Sequence, residues 1–357
     1  MRIAQVAPLF ESVPPRLYGG TERVVSYLTD ESVRQGHEVT LYASGDSITL
    51  ADLRPVCPRA LRLEGKKIVD PVAYLVRMLE MVAQDARDFD IIHFHVDYLH
   101  FPVTRRLKVP TVSTLHGRLD IPDVHPLFRE FDEMPLVSIS DAQRKPMAWA
   151  NWIATVLHGL PENLYNLHEK PGKYLAFLGR ICPEKRVDRA IEIAKQLDMP
   201  IKIAAKVDAA DRDYFETRVR KLLKNPLVEY LGEIGEREKS DFLGNAYALL
   251  FPIDWPEPFG LVMIEAMACG TPVIAFRRGS VPEIIEDGIT GFVVENVNEA
   301  VQAIRRAQSF DRRICRRIFE ERFSVRRMCS DYVAVYERIC NQEPDLTRGG
   351  DFLNMAA

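Results

Sequence analysis

The sequence predicts an α/β protein of two parallel-sheet domains facing each other across a cleft. Three observations carry this expectation. Short apolar runs alternate with stretches whose apolar residues recur at helical spacing, the pattern of parallel strands joined by covering helices. At 357 residues the chain is long for one hydrophobic core. A polar segment, Gly159 to Gly172, punctuated by Pro161 and Pro171, interrupts the alternation, which then starts afresh.

In the first series Arg2 to Ala7 reads as a buried strand, followed by a Pro-rich loop, Pro8 to Tyr18. A helix runs from Gly19-Gly20-Thr21 to about Gln35, with Val24, Val25, Leu28 and Val33 on its inward side. Strands follow at His37 to Ala43, Ile91 to His95, Thr111 to Leu115, Leu136 to Ile139 and Ala154 to Leu157, with a helix at Pro71 to Gln84. The second series opens with a strand, Tyr174 to Leu178, a loop, Gly179 to Lys185, and a helix, Arg186 to Leu197. Its further strands are Ile201 to Ala205, Val228 to Leu231, Ala248 to Pro252, Pro272 to Ala275 and Gly291 to Val294. Helices at Val297 to Ala307 and Val325 to Cys340 close the chain, the last with Ser324 as N-cap. The remainder is polar and reads as a loose tail, 342–357.

A net charge of −4 gives no global reason to expect a nucleic-acid partner. The N-terminus acquires charge too early for a secretory signal, and no apolar run nears the roughly 20 residues a membrane span needs. A cytoplasmic protein is expected, with room for peripheral contact at the inner face of a membrane. The six cysteines lack C-x-x-C pairs and read as buried or idle thiols rather than disulfides or zinc ligands.

The stretch Phe251 to Ala275, FPIDWPEPFGLVMIEAMACGTPVIA, carries the strongest functional signal. Pro256 and Pro258 forbid regular structure after the strand. A helix then starts near Phe259, and Gly270 suits the left-handed position past its end. Glu257 sits on the loop and Glu265 on the polar side of the second helical turn. The free amides near Phe259, Gly260 and Leu261 lie between them at the positive helix end. An anion on those amides, flanked by carboxylates that accept hydroxyl hydrogen bonds, suits a sugar diphosphate.

Glu257 and Glu265, with PFGLVMI between them and AMACGTPVIA after them, resemble the E-x7-E signature of retaining family-4 glycosyltransferases of the GT-B type. The similarity extends over nearly the whole chain and is strongest in the second half. It implies two Rossmann-like domains, residues 1–160 on the acceptor side and 170–323 on the nucleotide-sugar side, with the final helix, 324–341, crossing back onto the first. It also implies a nucleoside-diphosphate sugar as donor, expected to be a UDP-sugar, retention at the anomeric carbon, and no cofactor or metal.

Ligands of parallel sheets bind beyond the carboxyl ends of the strands. Gly19 and Gly20 fall there and let backbone amides approach a phosphate or sugar. The dinucleotide fingerprint G-x-G-x-x-G is absent, which disfavours a dehydrogenase. Arg180 and Lys185, in GRICPEKRVD, suit a diphosphate whose negative charge grows as it leaves. His116 ends a strand, and the resemblance implies that it faces the donor sugar. It further implies Glu257 on the sugar hydroxyls and a base pocket lined by Gly232 to Glu238; Glu265 is read on the ribose. Where the family often has a Gly-rich turn, this chain has AAKVDAAD, so Lys206 becomes an added phosphate contact and the base identity stays open.

The acceptor side is assigned to Tyr18, Asp97, Tyr98 and Arg118, which fit a sugar, a lipid or a small aglycone equally. His93, His95, Asp97 and His100 raise a metal site as a minor alternative, and Asp88-Phe89-Asp90 reads as a surface turn. Arg312, Arg313, Arg316, Arg317, Arg326 and Arg327 read as a solvated helical surface, with an anionic membrane or acceptor as the alternative. Rival functions are a sugar-nucleotide epimerase or hydrolase, and a catalytically silent sugar-nucleotide-binding protein.

Overall fold

A computed structural model describes residues 1–63, 68–307 and 310–341; the tail expected at 342–357 lies outside the described residues. Strands β1 (Arg2–Val6), β2 (Glu38–Ser44), β3 (Asp52–Cys57), β4 (Ile91–Phe94), β5 (Thr111–Thr114), β6 (Leu136–Ser138) and β7 (Trp152–Thr155) form a seven-stranded sheet, order β3-β2-β1-β4-β5-β6-β7. Strands β8 (Tyr174–Arg180), β9 (Ile201–Lys206), β10 (Val228–Gly232), β11 (Ala246–Phe251), β12 (Val273–Phe276) and β13 (Gly291–Val294) form a six-stranded sheet, order β10-β9-β8-β11-β12-β13. Every strand pair is parallel.

The central strands are apolar on both faces because helices cover both. All four residues of β4 and β12 are buried. In the first sheet the strand order reverses between β1 and β4, and in the second between β8 and β11. These are the switch points at which α/β sheets open a crevice for ligands. Arg180 is the last residue of β8 and Phe251 the last of β11, so the second crevice opens beside a cation and just before the Glu257 loop.

Two adjacent crossings tie the halves together. Leu160 N–H donates to Phe323 O at 2.9 Å, and Val325 N–H donates to Leu160 O at 2.8 Å. The final helix, Val325–Cys340, then packs on the first half: Met328, Tyr332 and Tyr336 share a buried cluster with Val24, Leu28 and Ile91. Its Ser324 side chain accepts from Arg327 N–H.

Several elements depart from the sequence reading. Strand β3 was not anticipated: it is a largely exposed edge strand interrupted by Pro55, so it has no apolar period. Strand β7 lies two residues earlier than expected, and Gly179 and Arg180 belong to β8 rather than to the loop after it. The arginine-rich run, read only as a solvated helical surface, is the helix Arg312–Arg322. Cys315, Ile318 and Phe319 give it a buried stripe that its arginines obscure.

Those arginines correct the solvated-surface reading. Arg312 is 3% exposed and donates to Ala246 O at 2.9 Å, to Gly244 O at 2.7 Å and to the Thr271 hydroxyl. Arg316 holds the carbonyls of Tyr165, Ala268 and Glu162, and Arg327 those of Leu157 and His158. Three of the six arginines therefore fasten backbone, Arg312 inside the second half and Arg316 and Arg327 at or beside the linker. Arg313 and Arg317 are exposed and pair with Glu169 and Glu321. Arg312→Leu would keep the aliphatic packing but strand the Gly244 and Ala246 carbonyls, each at a cost of about 1–3 kcal/mol. The urea midpoint is expected to fall with an unchanged slope; a wild-type midpoint would contradict this role.

Candidate active site between the two sheets

The second half supplies most of the charge. Lys185 pairs with Glu257, and the Trp255 indole N–H donates to the same carboxylate at 2.9 Å. The Lys185 ammonium lies 5.3 Å from both the Phe251 and Trp255 ring centres. Beside it, Arg180 is held by Asp208 at 3.5 Å and Asp211 at 3.3 Å, and Lys206 by Asp208 at 3.0 Å. Both cations are thus held near the cleft floor by carboxylates on one side.

The helix expected from Phe259 starts at Leu261 and runs to Ala268. Its N-cap, Gly260, has φ +82°, and a Cβ there would lie 2.9 Å from Met263 Cε and 3.1 Å from Phe251 Cζ. Only glycine meets both conditions. No side chain caps the helix, so its first amides remain available to an anion. Glu265 is not on a polar face, because this helix has none: Met263 through Ala268 are all buried. Glu265 is 3% exposed and is paired with the Lys239 ammonium at 2.8 Å.

The first half closes over this floor. Tyr18 N–H donates to Glu233 at 3.1 Å, and Lys206 lies 4.4 Å over the Tyr18 ring. Arg23 pairs with Glu236 and donates to Leu17 O at 2.7 Å. Farther along, the Ser140 hydroxyl donates to Pro258 O at 2.7 Å, and Glu283 accepts from the amides of Asp141 and Ala142 at 2.7 Å each. Gly19 is extended, and a Cβ on it would lie 2.7 Å from Pro15 Cβ. Loop packing alone therefore requires that glycine.

His116 stands after β5, with Nε2 2.9 Å from His95 Nδ1 and its ring stacked on His158 at 5.3 Å. Between the two halves lies a cavity of about 500 Å³. Tyr18, Gly19, Gly20, His116, Arg180, Lys185, Lys206, Glu257, Phe259, Gly260, Leu261 and Glu265 all line it. Asp97, Tyr98 and Arg118 do not. Tyr98 packs edge-on against Phe128, and Arg118 pairs with Asp120 at 2.7 Å and lies 5.9 Å from the Trp255 ring. Asp97 sits in a left-handed turn at φ +54°. Of the expected base-pocket segment, Glu233 and Ile234 reach the wall.

Two family models match the chain: "Glycosyltransferase Family 4" over residues 18–166 and "Glycosyl transferases group 1" over residues 165–317. The chain belongs to the family-4 glycosyltransferases of the GT-B type. A 41.2 kDa protein of the Klebsiella pneumoniae cps region is 30% identical over 169 residues, a stretch spanning 46% of this chain and 46% of that relative's length. The N-acetyl-alpha-D-glucosaminyl L-malate synthase of Bacillus anthracis is 27% identical, covering 89% of this chain and 93% of the relative. HepE of Anabaena, solved with UDP and glucose, superposes with a TM-score of 0.73 at 18% identity, over 95% of this chain and 100% of HepE. The catalytic domain of starch synthase IV from Arabidopsis thaliana, bound to ADP and acarbose, gives 0.72 at 16% identity, over 96% and 99%. At these identities the structural likeness is one of fold.

The glycosyltransferase cavity also contains residues that the sequence reading missed. Glu11, Glu22, Arg23, Arg62, His158, Lys239 and Trp255 line it. Two carried a readable signal: His158 follows the carboxyl end of β7, and Trp255 stands two residues before Glu257. The others owe their place to packing between segments distant in sequence. The histidines first weighed as metal ligands are hydrogen-bonded within the protein: His93 to Tyr336 and Thr114, His95 to Gln5 and His116, His100 to Ser113. Among the described residues no cluster of three or more acidic, histidine or cysteine side chains forms a metal-binding group. Asp90 of the D-x-D run is bound to Arg2, at the amino end of the sheet and away from the cleft.

Burial keeps His93, His95, His100, His116 and His158 neutral, pushing His100 and His116 down to about 3 and the others well below the usual value. The unfolded chain takes up protons at these sites as pH drops below about 6.5, whereas the folded chain does not. Stability is therefore full above that pH and falls as pH is lowered, by up to about 1.4 kcal/mol per histidine per pH unit. Thermal melts between roughly pH 7 and 5 should show a falling Tm; a flat Tm across that window would contradict the buried neutral state.

Proposed function

We propose that the protein transfers a hexosyl group, with retention, from a nucleoside-diphosphate sugar to an acceptor hydroxyl. The observation that supports this most is the convergence of Arg180, Lys185, Glu257 and the uncapped Leu261–Ala268 helix start on one cavity where the two sheets present their carboxyl ends. Two cations and free amides match a diphosphate, and the neighbouring carboxylates match hydroxyls.

In this reading the bond between C1 and the diphosphate oxygen loosens and positive charge builds on the sugar ring. Arg180, Lys185 and the amides after Gly260 take up the negative charge growing on the departing diphosphate. The acceptor hydroxyl attacks from the face the diphosphate leaves, and a leaving phosphate oxygen takes its proton. Glu257, already held by Lys185 and Trp255, accepts from sugar hydroxyls. Glu265, held by Lys239, accepts from the ribose. The contacts at Tyr18, Arg23 and Ser140 keep the halves together and limit entry of water that would hydrolyse the donor.

UDP is the first candidate nucleotide, with Lys206 adding charge where the family often has glycine. The acceptor remains open among sugars, lipids and small aglycones. The reaction is assigned to the cytoplasm, with the inner membrane face as a place of work if the acceptor is a lipid. A thermal-shift screen of UDP-, GDP- and ADP-sugars tests the donor, and transfer to an added acceptor separates this function from an epimerase or hydrolase.

Arg180→Ala and Lys185→Ala are each expected to lower kcat/KM by roughly 10²–10³-fold, the effect of losing one preorganised donor; near-normal turnover in both would remove the diphosphate clamp. Because side chains and amides neutralise the diphosphate here, turnover should persist in EDTA. Loss of activity restored by magnesium or manganese would contradict that assignment.

A further inference from the structure

A hydrogen-bonded chain runs from the cavity to the last helix through three of the buried histidines. His116 Nε2 lies 2.9 Å from His95 Nδ1, and His95 Nε2 lies 2.9 Å from the Gln5 amide oxygen. The Gln5 amide nitrogen donates to the Tyr336 hydroxyl at 3.2 Å, which lies 2.7 Å from His93 Nδ1. His93 Nε2 lies 2.7 Å from Thr114 Oγ1, which meets the Tyr332 hydroxyl at 3.0 Å. Gln5, His93, Tyr332 and Tyr336 are 0% exposed, so no solvent enters the chain at those points.

With the Gln5 amide oxygen turned to His95 and its nitrogen to Tyr336, the chain runs in one direction. A neutral imidazole donates from one nitrogen and accepts at the other. The Gln5 oxygen can only accept, so His95 carries its proton on Nε2 and leaves Nδ1 bare. His116 must then donate from Nε2, and its own Nδ1 is left as a lone pair. That nitrogen has no partner among the described residues, and its ring lines the cavity. On the far side Tyr336 receives from Gln5, so its proton goes to His93 Nδ1 and His93 donates from Nε2 to Thr114. All three histidines carry the same tautomer, and burial keeps each neutral.

We propose that Gln5 and His95 are positioning residues that fix His116 as a hydrogen-bond acceptor, so that the site selects a sugar presenting a hydroxyl to Nδ1. A carboxylate there would set lone pair against lone pair, and a missing hydroxyl would leave Nδ1 unpaired; the donor class is thus a neutral hexose rather than a uronate or a deoxy sugar at that position. The substrate part rests on the glycosyl-donor reading above; the tautomer part does not.

Long-range ¹H–¹⁵N correlation spectra of the labelled full-length protein near neutral pH, without substrate, test the tautomers directly, with His116→Asn used to assign the His116 signals. His93, His95 and His116 are expected to be protonated on Nε2 and bare on Nδ1. A proton on His116 Nδ1, which requires the whole chain to run the other way, overturns the proposal. Gln5→Leu removes the acceptor that orients His95. It should split His116 between two tautomers and lower kcat/KM roughly 3–10-fold, the worth of one neutral hydrogen bond. An activity loss with His116 still wholly protonated on Nε2 would assign the effect to packing and overturn the positioning role; if this variant does not fold, the wild-type spectrum still decides. Saturating UDP-glucose should move the His116 Nδ1 resonance upfield and UDP-glucuronate should not. Equal shifts from both overturn the selection, whereas failure of both to bind removes the donor reading and leaves the tautomer result standing.

Discussion

The structure depends on holding opposite charges together at a largely buried cleft floor. Lys185 with Glu257 and Lys239 with Glu265 place four ionised groups close to the cavity floor, with both carboxylates below one-tenth exposed. An unpaired ion at that depth carries a large desolvation cost. Each carboxylate therefore needs its ammonium, and each ammonium is brought by a different element: Lys185 by the loop after β8, Lys239 by the helix Glu236–Gly244. These pairs fix the distances between segments far apart in sequence. They also leave the cavity lined by groups already aimed, so that little reorganisation remains when a charged ligand arrives.

The same economy governs the junction of the two halves. The contacts across the cleft include one amide on Glu233, one guanidinium on Glu236, one hydroxyl on the Pro258 carbonyl and two amides on Glu283, together with packing of Tyr27 and Ile139 into the cluster around Phe259 and of the His158 ring on Phe259. A further apolar cluster forms where the final helix returns to the first sheet. Polar contacts at the mouth can be exchanged for water as the halves move, while the apolar return helix keeps them joined. Through Tyr332 and Tyr336 that helix also enters the hydrogen-bonded chain behind His116, so the structural crossover and the cavity share residues.

Most of the architecture was readable because parallel sheets with both faces covered leave near-continuous apolar runs, as at Ile91–Phe94 and Val273–Phe276. Strand β3 was not, since an exposed edge with Pro55 has neither run nor alternation. The helix Arg312–Arg322 was hidden by charge: a sequence shows that Arg312 is cationic but not that carbonyls of Gly244 and Ala246 wait for it in the interior. At the site, the segment Pro256 to Gly270 was legible because prolines, Gly260 and Gly270 each answer a local backbone demand. Lys239 and Arg23 were not, because only packing brings them to Glu265 and Glu236. Asp97 and Tyr98 were singled out for their place past a strand end; the chain turns at Asp97, and Tyr98 packs on Phe128.

A crystal structure of the protein with a bound UDP-hexose tests the diphosphate seat. The diphosphate is expected within hydrogen-bond distance of Arg180, Lys185 and the amides that open the Leu261–Ala268 helix, with the sugar between Glu257 and His116. A nucleotide seated on the first sheet alone, or anywhere remote from Glu257 and Glu265, would contradict it.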